Sequence, residues 1–143
     1  MKKILIIRFS SFGDIVQAMS VNKALKLKYP EIKIYWISKI GFVDLIKSDP
    51  NVEQVFSINK DTSFRSILGF IKENSFDLIY DAHLSLRSNL LFFLSKLYGI
   101  KVKWIRRPKD RFKRFLLFKL GINRLPSPFI GRVSYLKPLK NFG

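Results

Sequence analysis

Residues 4–7 read Ile-Leu-Ile-Ile, four β-formers in a row with no polar residue among them. So short and apolar a run suits a strand buried on both faces at the centre of a parallel sheet, because a half-exposed strand would alternate. Ser10, Ser11, Phe12 and Gly13 then break the pattern, and from Ile15 the apolar residues take up helical spacing. The spacing thus predicts a strand, a tight turn and a helix start. In open α/β sheets ligands bind in the crevice beyond the carboxyl ends of the strands, so this turn faces the expected site. It brings one carboxylate there, Asp14.

Two readings of Asp14 follow from its position. Ser11 three residues before an acid fits the serine-x-x-acid capping box, in which each side chain satisfies a backbone N–H at the helix start. Alternatively, a carboxylate at the mouth of a cleft can act as a general base toward a substrate hydroxyl. The N–H groups and dipole of the helix start would keep that acid ionised, making it a weak base that works mainly through placement.

Further along, the chain alternates strand-like and helix-like stretches. Val16, Met19, Ala24 and Leu27 mark the expected buried side of a first helix ending near Tyr29, before Pro30. Strands are expected at 32–37, 52–58, 76–80 and 101–105, with a short helix at 41–46 and longer ones at 63–73 and from Ser85 or Ser88 to about Tyr98, stopped by Gly99. This rhythm gives βαβ units: an α/β fold, a Rossmann-like parallel sheet of about five strands with flanking helices. Residues 1–143 read as a single domain. Asp81-Ala82-His83 falls at the same sheet edge as Asp14, and His83 reads as satisfying local hydrogen bonds.

The formal charge is +17, and +12 of it lies in a basic segment from about residue 101 to 143, where Asp110 is the one acid. Such a segment calls for a polyanionic partner: nucleic acid, an anionic membrane surface or a phosphorylated ligand. Within it, Phe112, Phe115, Leu116 and Leu120 share one face of an expected helix, and a last helix at about 129–139 carries Val133, Leu136 and Leu139 inward. The basic helix either lies on a membrane or clamps phosphates, or simply docks its Phe face on the sheet with its charges solvated.

Other classes are excluded or disfavoured. With no cysteine and one histidine the chain has neither disulfides nor a thiolate or histidine-rich metal site, so no metal is expected. No export signal is expected, since Arg8 ends the first apolar run early, and no stretch reaches the length of a membrane span. Neither GxGxxG nor a Walker-type GxxxxGK occurs, which disfavours a nucleotide on the first strand turn.

Three stretches, IIRFSSFGDIVQAMSVNKALKLKYP, YWIS followed by GFVDLI, and FDLIYDAHLSLRS, together resemble the N-terminal half of the lipopolysaccharide heptosyltransferases, glycosyltransferase family nine; the ending RVSYLKPLKNFG is similar too. The resemblance spans essentially the whole chain, with the serine-serine-x-glycine-aspartate turn its most specific part. Ser20 stands where relatives commonly have proline. The resemblance implies the N-terminal half of a GT-B enzyme, which binds a phosphorylated lipopolysaccharide core or lipid A acceptor while a C-terminal half binds ADP-heptose. Asp14 then looks like the catalytic base, one side chain serving both readings. Ser10, Ser11 and Gly13 would shape the turn, and Arg87, Arg106, Arg107, Arg111 and Arg114 would pair with acceptor phosphates or carboxylates. For Arg87 an ordinary surface role stays equally open.

The donor-binding half is absent from this sequence, so little or no turnover is expected without a separate donor-binding partner. ADP-heptose would be a co-substrate and no cofactor is expected. The implied location is cytoplasmic, peripheral on the anionic inner membrane. The rival is a non-catalytic basic module binding nucleic acid or anionic membrane, with nucleic acid the less favoured partner.

Overall fold

The computed structural model describes residues 2–107 and 135–139. Five strands, β1 (Lys3–Ile7), β2 (Lys33–Lys39), β3 (Val52–Ile58), β4 (Leu78–Asp81) and β5 (Lys103–Arg106), form one parallel sheet in the order β3-β2-β1-β4-β5. Helices α1 (Phe12–Lys28), α2 (Val43–Lys47), α3 (Phe64–Asn74) and α4 (Leu86–Leu97) connect them, with a 3-10 turn at Ile40–Phe42 before α2. The expected α/β architecture and central position of β1 are both present. Ile4, Leu5, Ile6 and Ile7 are each completely buried. Alternate β1 residues feed two cores, as the period of two requires. Ile4 and Ile6 pack with Ile15, Ala18 and Trp36 on the α1 side; Leu5 and Ile7 pack with Ile67, Ile71 and Leu91 on the α3–α4 side.

The strand order has a direct consequence. From β1 the chain winds outward through β2 to β3, then returns across the sheet to place β4 on the other flank of β1. The winding direction therefore reverses between β1 and β4, and this switch point is where open α/β sheets leave a crevice at their carboxyl edge. Asp14 stands just beyond β1 at that edge.

Local signals act as read in most places. Ser63 caps α3 by accepting from the Ser66 N–H at 3.2 Å, Ser85 and Ser88 form a capping box on α4, and Gly99 follows α4 at φ 69°, a left-handed conformation that glycine adopts at little cost. The described end of the chain also packs inward, as expected of Leu136 and Leu139: Tyr135 and Leu139 are buried on the α1 side, and Lys137–Leu139 form a 3-10 turn. The 112–120 helix, Val133, Arg111 and Arg114 lie outside the described residues.

The buried face of α1 differs from the expectation. Ile15, Ala18, Val21, Asn22 and Leu25 face the sheet, whereas Val16 and Leu27 are exposed and Met19 is only partly covered. Apolar residues surround this helix on all sides, so periodicity alone leaves its rotation undetermined. Asn22 helps fix it. Its amide is satisfied inside the protein, accepting from the Trp36 indole N–H at 3.0 Å and donating to Asp49 at 2.8 Å.

Candidate functional site

At the end of β1 the apolar run gives way to Arg8, which is only 7% exposed. A buried guanidinium needs partners. One terminal nitrogen donates to the Ala82 carbonyl at 2.9 Å, and the other meets Asp14 Oδ2 at 2.6 Å. Its Nε has no hydrogen-bond partner among the described residues.

Ser11 is the N-cap of α1, in extended conformation, and its carbonyl accepts the first helical bond from Ile15. The capping-box reading does not hold for this pair, however. The Ser11 hydroxyl caps no backbone N–H; it turns instead to Asp14 Oδ2 at 2.9 Å. The pull of Arg8 on the same carboxylate explains the choice, since an ionised acceptor gives a stronger hydrogen bond than a neutral one.

Asp14 keeps 42% of its side chain exposed. Its other oxygen, Oδ1, accepts a 3.3 Å bond from the hydroxyl of Tyr135, a residue 121 positions away in sequence. Tyr135 is held from two directions. Its carbonyl accepts from the Tyr80 hydroxyl on β4 at 2.6 Å, and its ring lies beneath the Arg107 guanidinium, 3.8 Å from the ring centroid. The assembly joins the ends of β1 and β5, the first turn of α1, β4 and the end of the chain around one half-exposed carboxylate.

The electrostatics follow from those neighbours. Partial burial works to raise the Asp14 pKa, but the Ser11 bond, the Arg8 charge, the Tyr135 bond and the Arg107 charge outweigh it and hold the carboxyl below its ordinary value of 3.8. Burial pushes the Tyr80 and Tyr135 phenols upward, so both remain protonated donors at neutral pH. The group is therefore an ionised carboxylate with part of its surface open to solvent, at the switch point of the sheet.

Of the residues singled out in the sequence, Ser10, Ser11, Gly13, Asp14 and Arg107 gather at this edge. Gly13 is exposed and a Cβ there would meet nothing within 4 Å, so neither packing nor backbone geometry demands a glycine. Arg106 and Arg107 are adjacent in sequence yet part company, because successive residues at a strand end face opposite sides. Arg106 reaches Asp81 Oδ2 at 3.2 Å, binds Asn89 and covers the Phe92 ring on the α4 side. Arg87 donates to the carbonyls of Asn59 and Thr62 at 3.1 and 2.8 Å and lies over Phe9 and Phe64, tying α4 to the loop before α3.

Two residues escaped the sequence reading, Arg8 and Tyr135. A cation ending a fully buried strand was the available signal for Arg8; nothing local marks Tyr135. Among the described residues no group of acidic or histidine side chains is arranged to hold a metal, and no helix is long and apolar enough to cross a membrane.

No family model matches the sequence. The lipopolysaccharide core heptosyltransferase OpsX of Haemophilus influenzae is 26% identical over 106 residues, 72% of this chain and 29% of OpsX. The chain is heptosyltransferase-like. Among solved structures, E. coli heptosyltransferase WaaC with ADP superposes at TM-score 0.68 and 18% identity, over 99% of this chain and 48% of WaaC. The glycosyl transferase family 9 structure from Veillonella parvula does so at 0.68 and 17%, over 99% and 42%. The fold is thus the Rossmann-like α/β fold of one half of these GT-B structures, and the chain spans about half the length of the solved structures and under a third of OpsX.

Proposed function

We propose that this chain is the acceptor-binding, N-terminal half of a heptosyltransferase-like glycosyltransferase and that Asp14 is its general base. One observation carries the reading: in a heptosyltransferase-like chain, a half-exposed carboxylate at the switch point is held ionised by Arg8, Ser11 and Tyr135. As an acceptor hydroxyl attacks the anomeric carbon of ADP-heptose, its proton passes to Asp14 and ADP leaves with the bonding electrons. A base of lowered pKa takes that proton late, once the forming C–O bond has made the hydroxyl acidic, so placement matters more than basicity. The side chain of Arg107, with Arg111 and Arg114, would receive the phosphates of a lipopolysaccharide core or lipid A acceptor, and the bareness of Gly13 leaves room for a sugar beside Asp14. ADP-heptose would be held by a donor-binding half, at the anionic inner-membrane surface.

The 2.6 Å pair with Arg8 favours a second reading, in which Asp14 only neutralises a buried cation. Asp14→Asn decides between them in a protein that joins this chain to a donor-binding half, with ADP release followed in the presence of Kdo-lipid A. Catalysis by Asp14 predicts a loss of about 10²- to 10⁴-fold in turnover with the fold intact. Turnover within a factor of two of the parent would leave Asp14 a counter-ion.

A further inference from the structure

The two oxygens of Asp14 are held differently. Oδ2 carries two donors, the Arg8 guanidinium at 2.6 Å and the Ser11 hydroxyl at 2.9 Å. A carboxylate oxygen has two lone pairs, so both of these are taken. Among the described residues Oδ1 accepts only from the Tyr135 hydroxyl, at 3.3 Å, and keeps a lone pair on a side chain that is 42% exposed. Two donors on one oxygen locate that oxygen but leave the other free to swing, because the terminal torsion of an aspartate is broad. The Tyr135 bond stops the swing.

Tyr135 is built to hold that position. It is completely buried in the core on the α1 side, where a phenylalanine would fill the same space with no hydroxyl to satisfy. The Tyr80 hydroxyl anchors its backbone carbonyl at 2.6 Å, and the Arg107 guanidinium packs on its ring, 3.8 Å from the centroid. We infer that Tyr135 is a positioning residue for the proton transfer: it sets the plane of the Asp14 carboxylate, so that the open lone pair of Oδ1 meets the acceptor hydroxyl. The proton of that hydroxyl lands on Oδ1 as its oxygen bonds the anomeric carbon and ADP leaves with the electron pair of the broken bond. The inference rests on the general-base reading of Asp14 and adds which oxygen is the base and what aims it.

Aiming the base and tuning it differ in sign. Among the described residues the charges acting on Asp14 are Arg8 at the end of β1 and Arg107 at the end of β5, with the neutral phenol of Tyr135 beside them and that of Tyr80, on β4, behind it. Tyr135→Phe keeps both cations, the ring and its anchors, and removes one donor, so the carboxylate becomes a stronger base. A role in basicity alone predicts turnover that holds or rises. A role in aim predicts that it falls.

The test is steady-state kinetics, with Kdo-lipid A as acceptor, of the protein that joins this chain to a donor-binding half. For Tyr135→Phe we expect kcat to fall about tenfold on the pH plateau with KM changed by less than about twofold, and the acid limb of the profile to move to higher pH. Added to Asp14→Asn, the same change should cost nothing more, because the two residues act as one unit. Tyr80→Phe, which loosens the Tyr135 backbone without touching Asp14, should give a fall of about threefold of the same kind and reads the effect even if Tyr135→Phe fails to fold. Parental kcat in either variant, an acid limb that does not move, or a full tenfold loss on top of Asp14→Asn overturns the inference. If Asp14→Asn is slow while Tyr135→Phe matches the parent, this inference alone falls and the base reading stands; if Asp14→Asn turns over like the parent, both fall.

Discussion

Two arginine–aspartate pairs sit side by side at the carboxyl edge of this sheet, and they are built in opposite ways. In Arg106–Asp81 the carboxylate is wholly buried, and its oxygens are engaged by the His83 and Leu84 N–H groups at 3.1 and 2.8 Å and by Arg106. In Arg8–Asp14 the cation is buried, while the carboxylate is 42% exposed and its contacts come from side chains. A carboxylate that accepts from its own loop's backbone fixes that loop and has no lone pair to offer a ligand. One anchored by side chains at its flank keeps a face for solvent or substrate. Asp81 holds the turn between β4 and α4 in shape; Asp14 is presented.

That contrast can be broken most directly through stability. Asp81→Ala removes the acceptor of two backbone N–H groups and strands a part-buried guanidinium, so a loss of about 3–5 kcal/mol is expected in chemical denaturation. Asp14→Ala should cost somewhat less, about 2–3 kcal/mol, since it leaves the buried Arg8 only its bond to the Ala82 carbonyl but breaks no backbone hydrogen bond. Equal costs would mean that Asp14 is as structural as Asp81.

Acid titration sharpens the comparison at a smaller scale. Because the Asp14 pKa is lowered in the fold, its contribution to stability is complete above the ordinary 3.8 and disappears as the pH falls through the lowered value. The stability gap between the parent and Asp14→Asn should therefore be flat from neutral pH down to about 4 and close below it. A gap that closes near pH 6 would show the carboxyl held above, not below, its usual range. The smallest effect belongs to Tyr135→Phe, which removes one 3.3 Å, part-buried bond to a half-exposed acceptor. We expect about 1 kcal/mol or less in stability, and an Asp14 carboxyl titrating at higher pH by NMR.

Much of this was legible before any coordinates. The ILII run identified the central strand, and the serines that start α3 and α4 act through short-range hydrogen bonds, whereas Ser11, which the same pattern marks as a cap, is drawn to Asp14 instead. The turn bearing Ser10, Ser11, Gly13 and Asp14 could be assigned to the ligand edge because chain direction fixes which end of a parallel strand a following loop occupies. The rotation of α1 was not legible, since its apolar residues point every way. Nor could adjacency reveal that Arg106 and Arg107 serve different faces.

The sequence by itself determined the strand and helix order, the parallel sheet and the placement of one acid at its carboxyl edge, because these depend on periodicity and on signals a few residues apart. Tertiary structure alone decided what that acid touches. Arg8 had to be buried before it needed a counter-ion, and Tyr135 reaches Asp14 only because the chain returns after 121 residues to seat its ring under Arg107. Contacts between distant segments carry no local pattern, so the state of the carboxylate emerges only with packing.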